Sequence, residues 1–198
     1  MQIISGEQKE LIDAVLAEGL ASNLSAAIFE KDIHVTDALH ALLAVDHPHV
    51  KFVFCGGTSL SKAHRVIERM SEDVDIKVVL RPDHGLSSNQ LKKHLSKLKN
   101  TVNSTMLELG FDAIDCERIA LNENRYFASG WRYQSRYAGH ASLRPHLSLE
   151  FTVRTPLSIH SKGRLVICSI SGVSTGMSAL KSPAWRSKKH LRKKYCRS

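Results

Sequence analysis

The sequence lacks the features that mark membrane, secreted or disulfide-stabilised proteins. No apolar run in its 198 residues approaches the roughly 18 needed to cross a bilayer. The first residues show no basic segment followed by an apolar one, so a secretory signal is not expected. The four cysteines (Cys55, Cys116, Cys168 and Cys196) are scattered without a Cys-x-x-Cys pair, so neither a zinc knuckle nor a disulfide framework is indicated. We therefore expect a cytoplasmic protein without a membrane partner, whose thiols are reduced and mostly buried.

Acidic residues are missing from the last quarter of the chain, because none follows Glu150. Lysine and arginine total 28 against 19 acids, and the formal net charge is +9. Such an excess favours a polyanionic partner, for example RNA or a nucleoside triphosphate. Two interpretations of the basic tail stay open: a solvated, poorly ordered end, or a nucleic-acid contact.

The order of apolar patterns indicates one domain that begins with helices. Apolar residues recur at helical spacing from Leu11 to Leu16 and again from Ala38 to Leu43. Thr36-Asp37 resembles the cap of the second helix, and the short segment Phe29-Glu30-Lys31-Asp32 separates the two. The length and the 42% hydrophobic content fit one compact domain.

The rest of the chain predicts an α+β fold with a mixed sheet that has the acidic strand at its centre. Predicted helices cover Ser59–Met70 and Asn89–Leu109. Predicted strands cover Val50–Phe54, Asp73–Leu80, Phe111–Ile119, Arg125–Tyr137, Pro145–Arg154 and Arg164–Ile170. We expect one domain over residues 1–173, with a helical lead-in (1–48) and a core (49–173), before a basic tail (174–198) for which disorder is one interpretation.

A glycine-rich turn is predicted between the first strand and the helix that follows it. The turn has the sequence Gly56-Gly57-Thr58-Ser59. Glycines let the backbone approach a phosphate closely, and the N–H groups of the first helical turn point towards it. Thr58 and Ser59 add hydroxyl donors. An ordinary tight turn with a helix cap is the alternative interpretation.

A pair of aspartates follows one helix later, in Ser71-Glu72-Asp73-Val74-Asp75-Ile76. Residues two apart on a strand project from the same face, with Cα atoms about 6.6–6.8 Å apart. Two such carboxylates can share one or two Mg²⁺ ions at the separation of about 3.5–4 Å that is typical of two-metal phosphoryl-transfer sites. The spacing therefore predicts a magnesium site, with a solvated polar strand face as the alternative.

Glu150 is the candidate for a third acidic ligand. It lies in Leu147–Val153, where apolar residues alternate with polar ones and place Glu150 on the polar side. If this strand lies beside the Asp73 strand, the carboxylate can reach the same cleft. A surface glutamate is the alternative, and Asp112 and Asp115 are weaker rivals.

Two segments, Phe52–Ala63 and Arg69–Ile76, resemble the AbiEii/AbiGii nucleotidyltransferase toxin family of the polymerase-β-like superfamily. The upstream Phe29–Asp32 and Val35-Thr36 are similar to that family's lead-in. The resemblance implies a polymerase-β-like catalytic core and a toxin of a bacterial toxin–antitoxin or phage-defence pair. It also implies a nucleoside triphosphate substrate, Mg²⁺ (or Mn²⁺), a tRNA acceptor and a cognate antitoxin.

The resemblance further implies roles for individual residues. Gly57 and Ser59 would hold the triphosphate, and Lys62 would neutralise a phosphate. Asp73 and Asp75 would hold the metal, with the Ser71 hydroxyl near it.

The chain departs from the family pattern at its C-terminal end. Members of the family carry a helical lysine and then an Arg-Asp pair. Lys181 is the candidate for that lysine, but no aspartate follows it. Three interpretations of this departure stay open: a C-terminally truncated or frame-altered sequence, a divergent tail, and a free-standing catalytic half. Two alternative functions stay open: a catalytically crippled relative that binds nucleotide or RNA, and a phosphotransferase that uses the same site.

Overall fold

The computed structural model describes residues 1–19, 24–45, 47–55, 73–140 and 143–154. These residues form three helices and five strands. The helices are α1 (Gly6–Ala17), α2 (Ala26–Ala44) and α3 (Ser88–Glu108). The strands are β1 (Val50–Cys55), β2 (Asp73–Leu80), β3 (Asp112–Leu121), β4 (Tyr126–Arg132) and β5 (His146–Arg154). The predicted elements Ser59–Met70 and Arg164–Ile170 and the tail 174–198 lie outside the described residues.

The five strands form one mixed sheet in the order β1-β2-β5-β4-β3. β2 and β5 are parallel, whereas the other three neighbouring pairs are antiparallel. The predicted α+β class is confirmed. Among the described strands, the acidic strand β2 is an interior strand between β1 and β5, and β5 is the middle one. β3 and β4 are adjacent because they form a hairpin, and β5, which follows them in the chain, lies between β4 and β2.

The hydrophobic core lies between the helices and one face of the sheet. Every second residue of β2 and β5 is buried on this face, and the apolar stripe of α3 from Leu91 to Met106 packs against it. Two-residue alternation on a strand leaves the other face to polar side chains. The opposite face of β2 and β5 therefore carries Asp73, Asp75, Ser148 and Glu150.

The N-terminal helices differ from the prediction. α2 runs without a break from Ala26 to Ala44, and Thr36, the predicted cap, lies inside it with its hydroxyl donating to the Asp32 carbonyl at 2.7 Å. The charged residues Glu30 and Lys31, which lie in the segment predicted to separate two helices, are 1% and 0% exposed. Both side chains make tertiary hydrogen bonds, so their burial is compensated by partners that are distant in sequence.

Two further predictions need correction. The strand predicted over Arg125–Tyr137 ends at Arg132, because the segment after it turns to bind the N-terminal residues: Arg136 Nε donates to the Ile4 carbonyl at 2.9 Å. The cysteines of the described part are less buried than predicted, since Cys116 is exposed and Cys55 only half-buried.

Candidate active site

Three carboxylates lie on the polar face where β2 and β5 run side by side. Asp73 pairs with Ser148, and Asp75 pairs with Glu150, in the parallel register. Neighbouring strands are about 4.8 Å apart, and residues two apart on one strand are about 6.6 Å apart. Asp73, Asp75 and Glu150 therefore occupy neighbouring positions on one face of the sheet, although Glu150 is 75 positions beyond Asp75 in the chain.

The first strand ends beside this cluster. β1 is antiparallel to β2, and its last residue, Cys55, pairs with Asp75. The Gly56–Ser59 motif follows Cys55 directly in the sequence. Gly56, Gly57, Thr58, Ser59, Lys62 and Ser71 lie outside the described residues, and their roles stay predictions.

Asp73 forms an ion pair with an arginine from the loop that precedes β5. Arg144 Nη1 lies 2.9 Å from Asp73 Oδ1, and the two side chains are 54% and 40% exposed. Arg144 is itself attached to the helical layer, because its carbonyl oxygen accepts a hydrogen bond from the buried Lys31 Nζ at 3.0 Å. The described structure therefore supplies a cation on the β5 side of the carboxylates.

The surroundings of Asp75 disfavour the ionised form of its carboxyl group. Partial burial raises the pKa of its carboxyl group, and the neighbouring Asp73 carboxylate raises it further, while Lys77 partly offsets both. Two adjacent carboxylates repel each other, and a bound cation would relieve that repulsion. This electrostatic state is typical of a group that meets a metal ion or a proton in function.

Glu150 has a tyrosine partner on the next strand. Tyr126 of β4 pairs with Thr152, and its phenol lies close enough to the Glu150 side chain to interact with it. Burial raises the pKa of Tyr126, and the charge of Glu150 raises it further. The phenol therefore stays protonated and can donate to the carboxylate. Its contact orients one of the three acids.

The carboxylate set fits Mg²⁺ by its chemistry. Mg²⁺ binds oxygen ligands, and it commonly takes one or two carboxylates and completes its shell with waters and substrate phosphates. Among the residues that the structure describes, no three His, Cys, Asp or Glu side chains converge as a ready-made metal site. Asp73 points to Arg144 and Glu150 to Tyr126. The paired Asp75 and Glu150, together with Asp73, nevertheless supply enough oxygen donors for such an ion.

The two rival acids are separated from this cluster. Asp112 and Asp115 lie on β3, at the opposite edge of the sheet, and both are exposed. Asp115 pairs with Arg118 at 3.2 Å. β4 and β5 stand between β3 and the aspartates of β2, so neither rival shares the site.

Near the start of β5, a glutamate and a histidine are in contact on the polar face. Glu117 of β3 reaches across β4 to His146, where Glu117 Oε2 and His146 Nε2 are 3.0 Å apart. The Glu117 carboxylate passes directly over Gly130, and a Cβ atom at that position would collide with it. A glycine is therefore required at 130 for this crossing.

Sequence reasoning missed three residues around the site. Arg144 lies in a loop, where no periodic pattern marks it. Tyr126 lies within the predicted strand Arg125–Tyr137, whose sequence does not distinguish it from its buried neighbours Phe127 and Trp131. Lys31 lies in the segment that was predicted to separate two helices. Only the pairing of distant strands shows that these residues converge.

A five-stranded mixed sheet, flanked by helices and carrying these carboxylates on paired strands, is consistent with a nucleotidyltransferase-type domain. The model of the nucleotidyl transferase AbiEii toxin family, of type IV toxin–antitoxin systems, matches residues 37–175. The match covers well over half of the chain, and the protein belongs to this family. Membership implies nucleotidyltransferase activity in general and a cognate antitoxin.

No curated protein is similar enough to the chain to count as a match. Among the described helices, none is long and apolar enough to cross a membrane.

Proposed function

We propose that this protein transfers a nucleotidyl group from a nucleoside triphosphate to an acceptor hydroxyl, with Asp73, Asp75 and Glu150 as the metal-binding acids. The observation that carries the proposal is the parallel register that sets Asp75 opposite Glu150, beside Asp73. Three carboxylates at the end of β1, where the Gly56–Ser59 motif begins in the sequence, suit phosphoryl chemistry. Such chemistry depends mainly on positioning and charge neutralisation.

The reaction follows from the charges of the site. The acceptor oxygen attacks the α-phosphorus, a new P–O bond forms, the α–β phosphoanhydride bond breaks, and pyrophosphate leaves. Bound Mg²⁺ would neutralise the developing charge on the phosphates. Glu150 accepts the proton of the attacking hydroxyl, and the Tyr126 hydroxyl keeps that carboxylate oriented.

The remaining contacts of the proposed reaction belong to residues of the family motif. Gly57 and Ser59 hold the triphosphate, and Lys62 neutralises one of its phosphates. Ser71 supplies a hydroxyl near the metal. Family membership and the chain's net charge of +9 support tRNA as the acceptor class. In the cell, the proposed toxin activity is opposed by the cognate antitoxin.

The test is a label-transfer assay with matched variants. The purified protein is incubated with each α-³²P nucleoside triphosphate, Mg²⁺ and total bacterial tRNA. The double variant Asp73→Ala, Asp75→Ala removes the proposed metal ligands. The double variant Asp112→Ala, Asp115→Ala removes the same charge from the far edge of the sheet. We expect label in RNA with the unmutated protein and the β3 control, and at least a hundredfold less with the β2 variant.

The products separate this proposal from its alternatives. Pyrophosphate release marks nucleotidyl transfer, whereas release of a nucleoside diphosphate marks a phosphotransferase. Salt-sensitive RNA binding without transfer, unchanged in the β2 variant, marks a relative that only binds RNA. Either of the last two results would sink the proposed function.

A further inference from the structure

Arg144 is held in an unusual way for an exposed arginine. Its main chain is fixed at two points. The carbonyl oxygen accepts a hydrogen bond from Lys31 Nζ at 3.0 Å, and β5 begins two residues later, at His146. Lys31 is fully buried within α2, so the anchor belongs to the rigid helical layer. The side chain, in contrast, is 54% exposed and extends over the carboxylates. An exposed guanidinium thus extends from a fixed main chain at the edge of the site.

The contact that Arg144 makes with Asp73 is easily exchanged. Both partners are about half exposed, and solvent screens such a pair strongly. Asp73 is also a proposed metal ligand. A cation that binds Asp73 would compete with Arg144 for the same carboxylate oxygen and would leave the guanidinium without that partner.

The substrate of the proposed function supplies the alternative partner. Three carboxylates on one face repel a polyphosphate, so productive binding needs positive charge next to them. A planar guanidinium matches the oxygens of a phosphate with two parallel hydrogen bonds, which makes arginine the preferred residue for this task. In the described part of the chain, Lys77 also acts on this site, because it is exposed on β2 and its charge lowers the pKa of Asp75.

We propose that Arg144 is a phosphate-binding residue of this site, and that its ion pair with Asp73 is the resting contact which it leaves when metal and phosphate bind. The inference rests on the proposed function and adds to it a residue that the glycine-rich motif does not include. The phosphate is that of the incoming triphosphate or of the acceptor RNA, which present the same chemistry.

The test compares the affinity for metal with the affinity for phosphate ligands, because substitution of Arg144 should change these two affinities in opposite directions. Isothermal titration calorimetry follows Mn²⁺ alone, then each of the four nucleoside triphosphates with Mn²⁺, then a short single-stranded RNA without a triphosphate. In Arg144→Gln, we expect Mn²⁺ alone to bind about two- to fivefold more tightly, because Asp73 is released. We expect one of the two phosphate ligands to bind about tenfold more weakly. The ligand that weakens identifies the source of the phosphate.

Two controls accompany this variant. Arg154→Gln removes the same charge from the same face at the other end of β5, and both affinities should stay within twofold of the unmutated protein. Arg144→Lys keeps the charge without the planar fork, and we expect it to restore phosphate binding only in part.

Three results would overturn the inference, and they differ in what they say about the function. Unchanged phosphate binding in Arg144→Gln, with binding lost in Asp73→Asn, would remove Arg144 from the site and leave the proposed function standing. Weaker binding of metal and phosphate together would show that Arg144 only supports the structure. A wild-type protein that binds neither Mn²⁺ nor triphosphate would overturn the proposed function itself.

Discussion

Two regions of this protein contain buried or half-buried carboxylates beside an arginine, and they use them in opposite ways. In the first region, the N-terminal anchor (Glu30 with Ser135 and Arg136), the glutamate is 1% exposed. It accepts hydrogen bonds from the Ser135 hydroxyl and, at 2.7 Å, from the Arg136 backbone N–H. In the second, the acidic site, Asp73 and Asp75 lie close together and half exposed on β2.

The difference teaches how to separate structural charges from functional ones. Glu30 is satisfied by donors that the fold supplies, so its burial stabilises one arrangement of α2 against the segment after β4. Asp75 is instead surrounded by burial and by the charge of Asp73, both of which raise its pKa. The first region stabilises the fold, and the second is under electrostatic strain that a bound cation would relieve.

The largest effect on stability should come from the anchor. Glu30→Ala removes the buried carboxylate that accepts hydrogen bonds from the Ser135 hydroxyl and the Arg136 backbone N–H. We expect the free energy of unfolding to fall by about 3 kcal/mol. Urea denaturation followed by circular dichroism measures the loss. Glu10→Ala, at an exposed position of α1, should change the value by less than about 0.5 kcal/mol. Equal losses in the two variants would contradict the assignment of Glu30 as an anchor.

A buried histidine beside the anchor should make the fold sensitive to acid. Burial lowers the pKa of His34 from 6.5 to about 4. The centroids of the His34 and Tyr133 rings are 4.2 Å apart. Between about pH 6.5 and pH 4, the unfolded chain therefore binds a proton at His34 that the folded protein does not bind. Stability is fully present above pH 6.5, and below it we expect a loss of about 1.4 kcal/mol per pH unit down to about pH 4.

Denaturation at pH 7, 6 and 5 measures this slope. His34→Leu should flatten it. His40→Leu, on an exposed turn of the same helix, should leave it unchanged. A slope that survives in His34→Leu would assign the acid sensitivity to other groups.

Two tyrosines sharpen the comparison, because each hydroxyl contacts a carboxylate in one of the regions. Tyr126 contacts Glu150 in the acidic site, and Tyr137 donates to Asp13 at 2.8 Å beside the anchor. We expect Tyr126→Phe to lower kcat about tenfold with little change in stability, since it releases a carboxylate that must be oriented. Tyr137→Phe should lower stability by about 1 kcal/mol and leave kcat unchanged.

The assay is label transfer for kcat and urea denaturation for stability, applied to both variants. Metal dependence adds a readout that a structural role would not change: Tyr126→Phe should shift the Mg²⁺ concentration needed for half-maximal transfer, and Tyr137→Phe should not. The opposite assignment of effects would refute the distinction between the regions.

The smallest effect should be a gain. The raised pKa of Asp75 means that its charged form opposes folding, so this opposition is absent below pH 3.8 and develops as the pH rises through the folded-state value. We expect Asp75→Asn to stabilise the metal-free protein at neutral pH by about 0.5 kcal/mol, reduced from a buried group's value by solvent screening. Asp13→Asn should act in the other direction, because the hydrogen bond from Lys9 lowers the pKa of Asp13.

Thermal denaturation in a chelator at pH 7 measures both changes. A loss of stability in Asp75→Asn would contradict the electrostatic strain assigned to the site. Added Mg²⁺ should stabilise the unmutated protein and not the variant.

Much of the fold could be predicted from local patterns. The period-two alternation of Asp73–Leu80 and of Leu147–Val153 identified both site strands and their polar faces. The apolar stripe of α3 and its bounds followed in the same way. The errors fall where tertiary contacts override local signals. The segment predicted to separate two helices lies inside α2, with Glu30 and Lys31 buried, and the chain after Arg132 leaves the sheet to bind the N-terminal residues.

The sequence by itself determined which carboxylates share a strand face, because the spacing of Asp73 and Asp75 and the alternation around Glu150 depend only on backbone geometry. Only the tertiary structure decided that Glu150 stands opposite Asp75, that Tyr126 contacts Glu150 and that Arg144 pairs with Asp73. The physical reason is that strand order and register depend on how the whole sheet packs against its helices. That packing sums many weak apolar contacts between residues distant in the chain, and no short segment contains it.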